Sequence, residues 1–97
     1  MSGIEILEPK YSESVIPFIW NFDDETTIIS SATVTIIDLS GADSSTSAML
    51  HGSVYLSTGK ITQLIQGGIV GITYLIKMSA TLPSGAIIVE KSYLPII

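Results

Sequence analysis

Cysteine and arginine are both absent from this chain of 97 residues, and histidine occurs once. Without cysteine the chain has no disulfides, thiolate metal ligands or cysteine nucleophiles, and a structural zinc site has almost no ligands to draw on. Four lysines face nine acidic residues, which gives a formal net charge of −5. Nucleic-acid binding depends on clustered cations and guanidinium groups, so the composition argues against a nucleic-acid partner.

Long apolar runs are also missing, because Thr, Ser, Gly or Lys interrupts every isoleucine-rich stretch within a few positions. A membrane-spanning helix needs about 18 or more apolar residues, so we expect no membrane partner. The first five residues lack the basic segment and long apolar segment of a secretory signal. We therefore expect synthesis and retention in a cytoplasm.

Apolar and β-branched residues are plentiful. Hydrophobic residues make up 46% of the chain and charged residues 13%, which excludes an intrinsically disordered protein and suits a single domain spanning residues 1–97. Ile, Val and Thr occur 17, 5 and 9 times. Because β-branched side chains fit a pleated, half-buried surface, the composition predicts an all-β fold.

Alternation of apolar and polar residues marks the strands. Residues 71–82 and 29–37 show the clearest period of two. Pro17 interrupts the apolar run 15–20, which indicates an edge strand, a bulge or a strand that begins beyond the proline, and we expect the paired part to begin near Phe18. Shorter strands are predicted at 4–7, 53–57, 60–66 and 86–93, and the polar stretch 40–47 is predicted to be the longest exposed loop. About seven short strands, separated by turns roughly every ten residues, are typical of a β-sandwich.

Three residues are candidates for specifying the fold. Gly71 and Tyr74 open the alternating strand with the spacing Gly-x-x-Tyr, which resembles the start of strand F in fibronectin type III and immunoglobulin-like domains. In such domains the tyrosine hydroxyl forms a hydrogen bond to an upstream turn. Trp20 is expected to pack across the core rather than stack on a ligand. The sequence therefore predicts an immunoglobulin-like or fibronectin III-like sandwich.

Catalytic and metal-binding motifs are weak. His51 is the sole imidazole, no serine lies in a Gly-x-Ser-x-Gly motif, and the sequence favours a surface or half-buried loop histidine. Asp23, Asp24 and Glu25 lack the alternating spacing of a calcium loop and are expected to form a solvated turn. We expect no cofactor, no metal and no enzymatic activity.

More apolar side chains are present than a small sandwich can bury. Two readings stay open: the surplus marks contact with another protein, or some of these side chains turn inward at bulges. The residues concerned are Ile28, Ile37, Leu64, Leu75, Ile88, Ile96 and Ile97. Chain termini are poorly ordered unless something covers them. We therefore expect the tail with Ile96 and Ile97, or the segment with Ile4 and Ile6 in a possible N-terminal arm at 1–12, to lie against a neighbouring subunit.

The order of these features resembles a family of small virion proteins of tailed bacteriophages. The resemblance rests on residues 9–20 with their tryptophan strand, on 24–36 with the sequence Thr-Ile-Ile-Ser-Ser-Ala-Thr-Val, on 63–74 with Gly-Gly-Ile-Val-Gly-Ile-Thr-Tyr, and on 80–85 with Thr-Leu-Pro-Ser-Gly. It covers about four fifths of the chain. The chain departs from the family in two places: it has Ala86 where an arginine usually follows the hairpin glycine, and it lacks acidic residues just before Trp20.

The resemblance implies a non-enzymatic structural protein of the virion, either a fibre-to-tail adaptor or a head decoration subunit. Its partners would be capsid, tail or fibre proteins, together with further copies of itself in a symmetric oligomer. A carbohydrate-binding or cell-surface-binding module is the alternative, since sandwiches often serve that purpose. Its aromatic platform would have to come from Trp20, Tyr55, Tyr74 and Tyr93.

Overall fold

Seven strands and one short 3₁₀ helix make up the computed structural model, which describes residues 5–22, 26–41 and 46–97. The strands are β1 (Glu5–Ile6), β2 (Ile16–Asn21), β3 (Ser31–Asp38), β4 (Leu50–Ser57), β5 (Lys60–Ile65), β6 (Thr73–Thr81) and β7 (Ile87–Pro95), and the 3₁₀ helix is Thr46–Met49. The all-β class and the strand count are those expected from the sequence.

The strands form two sheets, a larger one in the order β1-β7-β6-β3 and a smaller one in the order β2-β5-β4. All neighbours are antiparallel except β1 and β7, which are parallel. In an immunoglobulin-like sandwich, strands B, E and D share one sheet and C, F and G the other. Here β2 to β7 take the places of B to G in chain order, so the chain is a single immunoglobulin-like sandwich.

The core lies between the sheets and follows the alternation in the sequence. Along β6 every second residue is buried, from Tyr74 to Ala80. The same alternation along β3 buries Val34 and Ile36. The buried hydrophobic cluster consists of Val34, Ile36, Met49, Ile61, Ile65, Tyr74, Ile76, Met78, Ala80, Leu94 and Ile96.

Pro17 lies within the paired part of β2 rather than before it. Ile16 pairs with Ile65 and Pro17 with Leu64, so the expected start at Phe18 was wrong by two residues. The strand is at the edge of the smaller sheet, where the missing N–H of proline is tolerated. The predicted loop at 40–47 is also shorter than expected, since Thr46 begins the 3₁₀ helix whose last residue, Met49, is buried.

The side chain of Ile96 belongs to the domain's own fold, which corrects the expectation that it covers a neighbouring subunit. Ile96 is 2% exposed. Its N–H donates to the Ile72 carbonyl, and its own carbonyl accepts from the Gly71 N–H. Ile97 donates its N–H to the Lys10 carbonyl while its side chain stays half exposed. Ile96 was misassigned because its burial depends on the N-terminal arm and on the segment after β5, which alternation within the tail does not reveal.

Candidate functional site

The outward side of the larger sheet, here called the larger-sheet face, carries a row of apolar side chains. Ile37 on β3 lies opposite Leu75 on β6, which lies opposite Tyr93 on β7. Ile37 is 42% exposed, and the other two are partly exposed. Residues directly opposite on neighbouring strands point to the same side of a sheet. Two predicted contact residues, Ile37 and Leu75, are therefore adjacent, and Tyr93 extends their row.

The outward side of the smaller sheet, here called the smaller-sheet face, carries a second apolar group. Ile19, Thr62 and Tyr55 form one row across β2, β5 and β4, with Ile19 50% and Tyr55 67% exposed. Leu64, 38% exposed, lies in the next row along β5. Leu64 is thus on the opposite side of the sandwich from Ile37 and Leu75, although all three were predicted as contact residues. Ile19 and Tyr55 were missed because the pairing of β2 and β4 with β5 is needed to bring them together.

The N-terminal arm packs along β7 and the tail. Glu5 pairs with Ser92 and Ile6 with Tyr93 in parallel register, and Leu7 donates its N–H to the Tyr93 carbonyl at 2.8 Å. Lys10 forms an isolated parallel bridge with Ile96. The described part of the arm is therefore part of this domain. Ile4 lies outside the described residues.

Lys10 is the most unusual residue of the arm, because its side chain is 2% exposed. Its ammonium donates to the Tyr11 carbonyl at 2.7 Å and to the Gly67 carbonyl at 2.9 Å. Burial lowers the pKa of Lys10 from its ordinary value of 10.5, because desolvation penalises the charged form. The contact with Gly67 ties the arm to the segment between β5 and β6, a role that no local pattern in the sequence indicates.

Tyr74 forms the hydrogen bond expected of a tyrosine corner. The ring is fully buried, and the hydroxyl accepts the N–H of Ile69 at 3.0 Å. Gly71 has a φ of 92°, a conformation that L side chains rarely adopt. Tyr74 and Gly71 thus hold the turn before β6. Tyr74, Lys10, Gly68 and Ile96 form what is called below the buried end.

The side chains of Gln63 and His51 form hydrogen bonds around the bulge of β4, which lies between His51 and Tyr55. The buried Gln63 amide donates to the Leu64 carbonyl at 2.8 Å and reaches the Gly52 carbonyl at 3.3 Å. His51 is exposed, and its Nδ1 lies 2.9 Å from Oε1 of Gln66. These contacts fix the irregular backbone of β4 and join it to the end of β5.

Trp20 is partly buried and packs against the core, as the sequence predicts. Its ring centroid lies 6.4 Å from that of Phe18, and both line a groove of about 270 Å³ beside the edge of β2, together with Leu7, Glu8 and Ser92. The four aromatic residues of the alternative sugar platform are dispersed. Tyr74 is buried, Trp20 lines the groove, and Tyr55 and Tyr93 lie on opposite faces of the sandwich.

Metal-ligating side chains do not cluster in the parts of the chain that the structure describes. Within residues 5–22, 26–41 and 46–97 no three His, Asp or Glu side chains are placed to hold one ion. The acidic trio Asp23, Asp24 and Glu25 lies outside those residues. The same described residues contain no helix long and apolar enough to cross a membrane.

No family model, curated protein or solved structure matches the chain.

Proposed function

We propose that the chain is a non-enzymatic structural protein of a tailed-phage virion, which binds neighbouring capsid or tail proteins as an adaptor or a decoration subunit. The observation that carries the proposal is the presence of exposed apolar side chains on both outer faces of one small sandwich. Clustered apolar surface on a small domain is typical of protein contact sites.

The position of the two groups supports a bridging role. The row of Ile37, Leu75 and Tyr93 and the group of Ile19, Tyr55 and Leu64 point in opposite directions. A subunit with one contact surface on each side can touch two neighbours at once. Repetition around the symmetry of a particle then multiplies weak contacts into stable attachment.

The experiment is a protein inventory of phage particles produced from the genome that encodes the chain. Density-gradient purification followed by quantitative mass spectrometry should recover the chain at a copy number set by the symmetry of the particle. Release of the chain by raised salt or mild detergent, with the particle otherwise intact, would support an adaptor or decoration position. If the purified particles lack the chain, the proposal is wrong.

A further inference from the structure

Two lysines lie directly opposite each other on the larger-sheet face. Lys77 on β6 pairs with Lys91 on β7, and Thr35 on β3 completes their row. Across the rows that β3, β6 and β7 present on this side, these are the sole charged side chains among the residues described. Neither lysine forms an ion pair with another described residue.

Such a pair conflicts with the electrostatics of an isolated sheet. Cβ atoms of directly opposite residues are about 4.5 to 5.5 Å apart, and like charges on such residues destabilise the pairing. The conflict is notable in a chain whose net charge is −5, since half of its four lysines lie side by side on one face. Local rules of this kind are most often broken at functional sites.

The lysine pair borders apolar surface. The row of Ile37, Leu75 and Tyr93 is two residues further along the strands, a distance of roughly 7 Å at the usual rise per residue. On the other side, Val89 is an exposed apolar side chain at the β7 end of the next row. The larger-sheet face therefore offers two ammonium groups flanked by apolar contacts.

We infer that the larger-sheet face binds a different protein whose contact surface carries carboxylates beside apolar side chains. The inference rests on the proposed function and names the chemistry of one partner. The carboxylates would neutralise Lys77 and Lys91, and the apolar side chains would cover Leu75 and its neighbours. A second copy of the chain is a poorer occupant, because two copies docked through this face would bring four ammonium groups into one interface.

The test is an NMR titration of the purified chain with blocked peptides of defined charge. Glu-Leu-Glu-Leu is the probe, Lys-Leu-Lys-Leu is the control for charge, and Glu-Ser-Glu-Ser is the control for apolar contact. We expect saturable shifts at the amides of Leu75, Lys77, Lys91 and Tyr93 with the first peptide alone, and weaker binding as salt is raised.

Charge reversal localises the site. The double variant Lys77→Glu and Lys91→Glu should raise the Kd of Glu-Leu-Glu-Leu by about tenfold or more. Lys60→Glu is the matched control, because Lys60 is exposed on the smaller-sheet face, and it should leave the Kd unchanged. If charge reversal perturbs folding, Lys77→Ser with Lys91→Ser provides the same comparison without new charges.

Several outcomes overturn the inference: no saturable shifts, shifts confined to the smaller-sheet face, or equal binding of the lysine peptide. The titration uses the chain alone, so its result is independent of the particle inventory. A chain found in particles that fails to bind the acidic peptide leaves the proposed function intact and removes this inference. A chain that binds the peptide but is absent from particles supports binding at the larger-sheet face and rules out the proposed function.

Discussion

The buried end and the larger-sheet face differ in whether their side chains have partners within the domain. At the buried end, the ammonium of Lys10, the hydroxyl of Tyr74 and the side chain of Ile96 all find partners within the domain. On the larger-sheet face, Ile37 remains exposed and Lys77 lies opposite another lysine in the strand register. One region uses its side chains for the fold, and the other leaves them available for contact.

This difference indicates which substitutions should affect folding and which should affect binding. Changes at the buried end should lower the free energy of unfolding, since they remove packing or leave buried groups without partners. Changes on the larger-sheet face should leave that free energy almost unchanged. Four variants, taken from the largest expected effect to the smallest, examine this contrast.

Gly68→Ala should destabilise the domain most, by about 3 kcal/mol. Gly68 has a φ of 102°, and a Cβ there would lie 2.8 Å from Cγ1 of the buried Ile96. Gly67→Ala is the matched control, because Gly67 also has a positive φ but its Cβ would meet nothing within 4 Å. It should cost about 1 to 2 kcal/mol from the backbone conformation alone. Equal losses for the two variants in urea unfolding would show that close packing on Ile96 does not matter.

Lys10→Met should cost about 2 kcal/mol, because the carbonyls of Tyr11 and Gly67 lose their hydrogen bonds from the side-chain nitrogen while the apolar stem is retained. Lys60→Met is the control at an exposed site. The measurement is again urea unfolding at neutral pH. A Lys10→Met variant as stable as the native chain would mean that the buried ammonium contributes nothing.

Lys10→Met should also differ from the native chain in how the free energy of unfolding depends on pH. Burial lowers the pKa of Lys10 in the folded state, so between that lowered pKa and 10.5 the unfolded chain binds more protons at this site. The native chain should therefore gain stability with rising pH in that window relative to Lys10→Met. A constant difference between the two proteins, measured by unfolding at a series of pH values, would contradict this assignment.

Tyr74→Phe should cost about 0.5 to 1.5 kcal/mol while the fold stays intact, because the N–H of Ile69 loses its acceptor. Tyr55→Phe, at an exposed tyrosine on the smaller-sheet face, is the control and should have no measurable effect. Denaturant unfolding monitored by tryptophan fluorescence measures both. Identical midpoints for the two variants would reduce Tyr74 to an ordinary core aromatic.

Ile37→Ser should change stability least, by no more than about 0.5 kcal/mol, since Ile37 is exposed at the edge strand of the larger sheet. Thermal unfolding provides the measurement. A loss comparable to that of Tyr74→Phe would mean that the apolar row serves the fold, and the contrast between the two regions would disappear.

The pattern of alternation was sufficient to predict much of the fold. The inward positions of β6 from Tyr74 to Ala80 and the tyrosine corner were visible because both signals are local in sequence. Pro17 was compatible with an edge strand, a bulge or a later strand start; the strand is at the edge, and its pairing begins one residue before the proline.

Long-range contacts account for what the sequence did not reveal. Ile96 is buried because residues far from it in sequence, Gly68 among them, close over it, and Lys10 is buried because the arm reaches the carbonyl of Gly67. The two contact faces depend on strand register, which sets Ile37 beside Leu75 and Lys77 beside Lys91. Composition showed that apolar residues were in surplus, but it did not show which of them share a face.

We propose that the exposed faces attach the chain to a particle, whereas the buried end holds the domain together. The most direct measurement is the copy number of the chain in particles assembled with native protein, with Ile37→Ser or with Tyr74→Phe. We predict a reduced copy number for Ile37→Ser, which stays folded, and a native copy number for Tyr74→Phe at temperatures where it remains folded. Native occupancy of Ile37→Ser together with reduced occupancy of folded Tyr74→Phe would contradict the account.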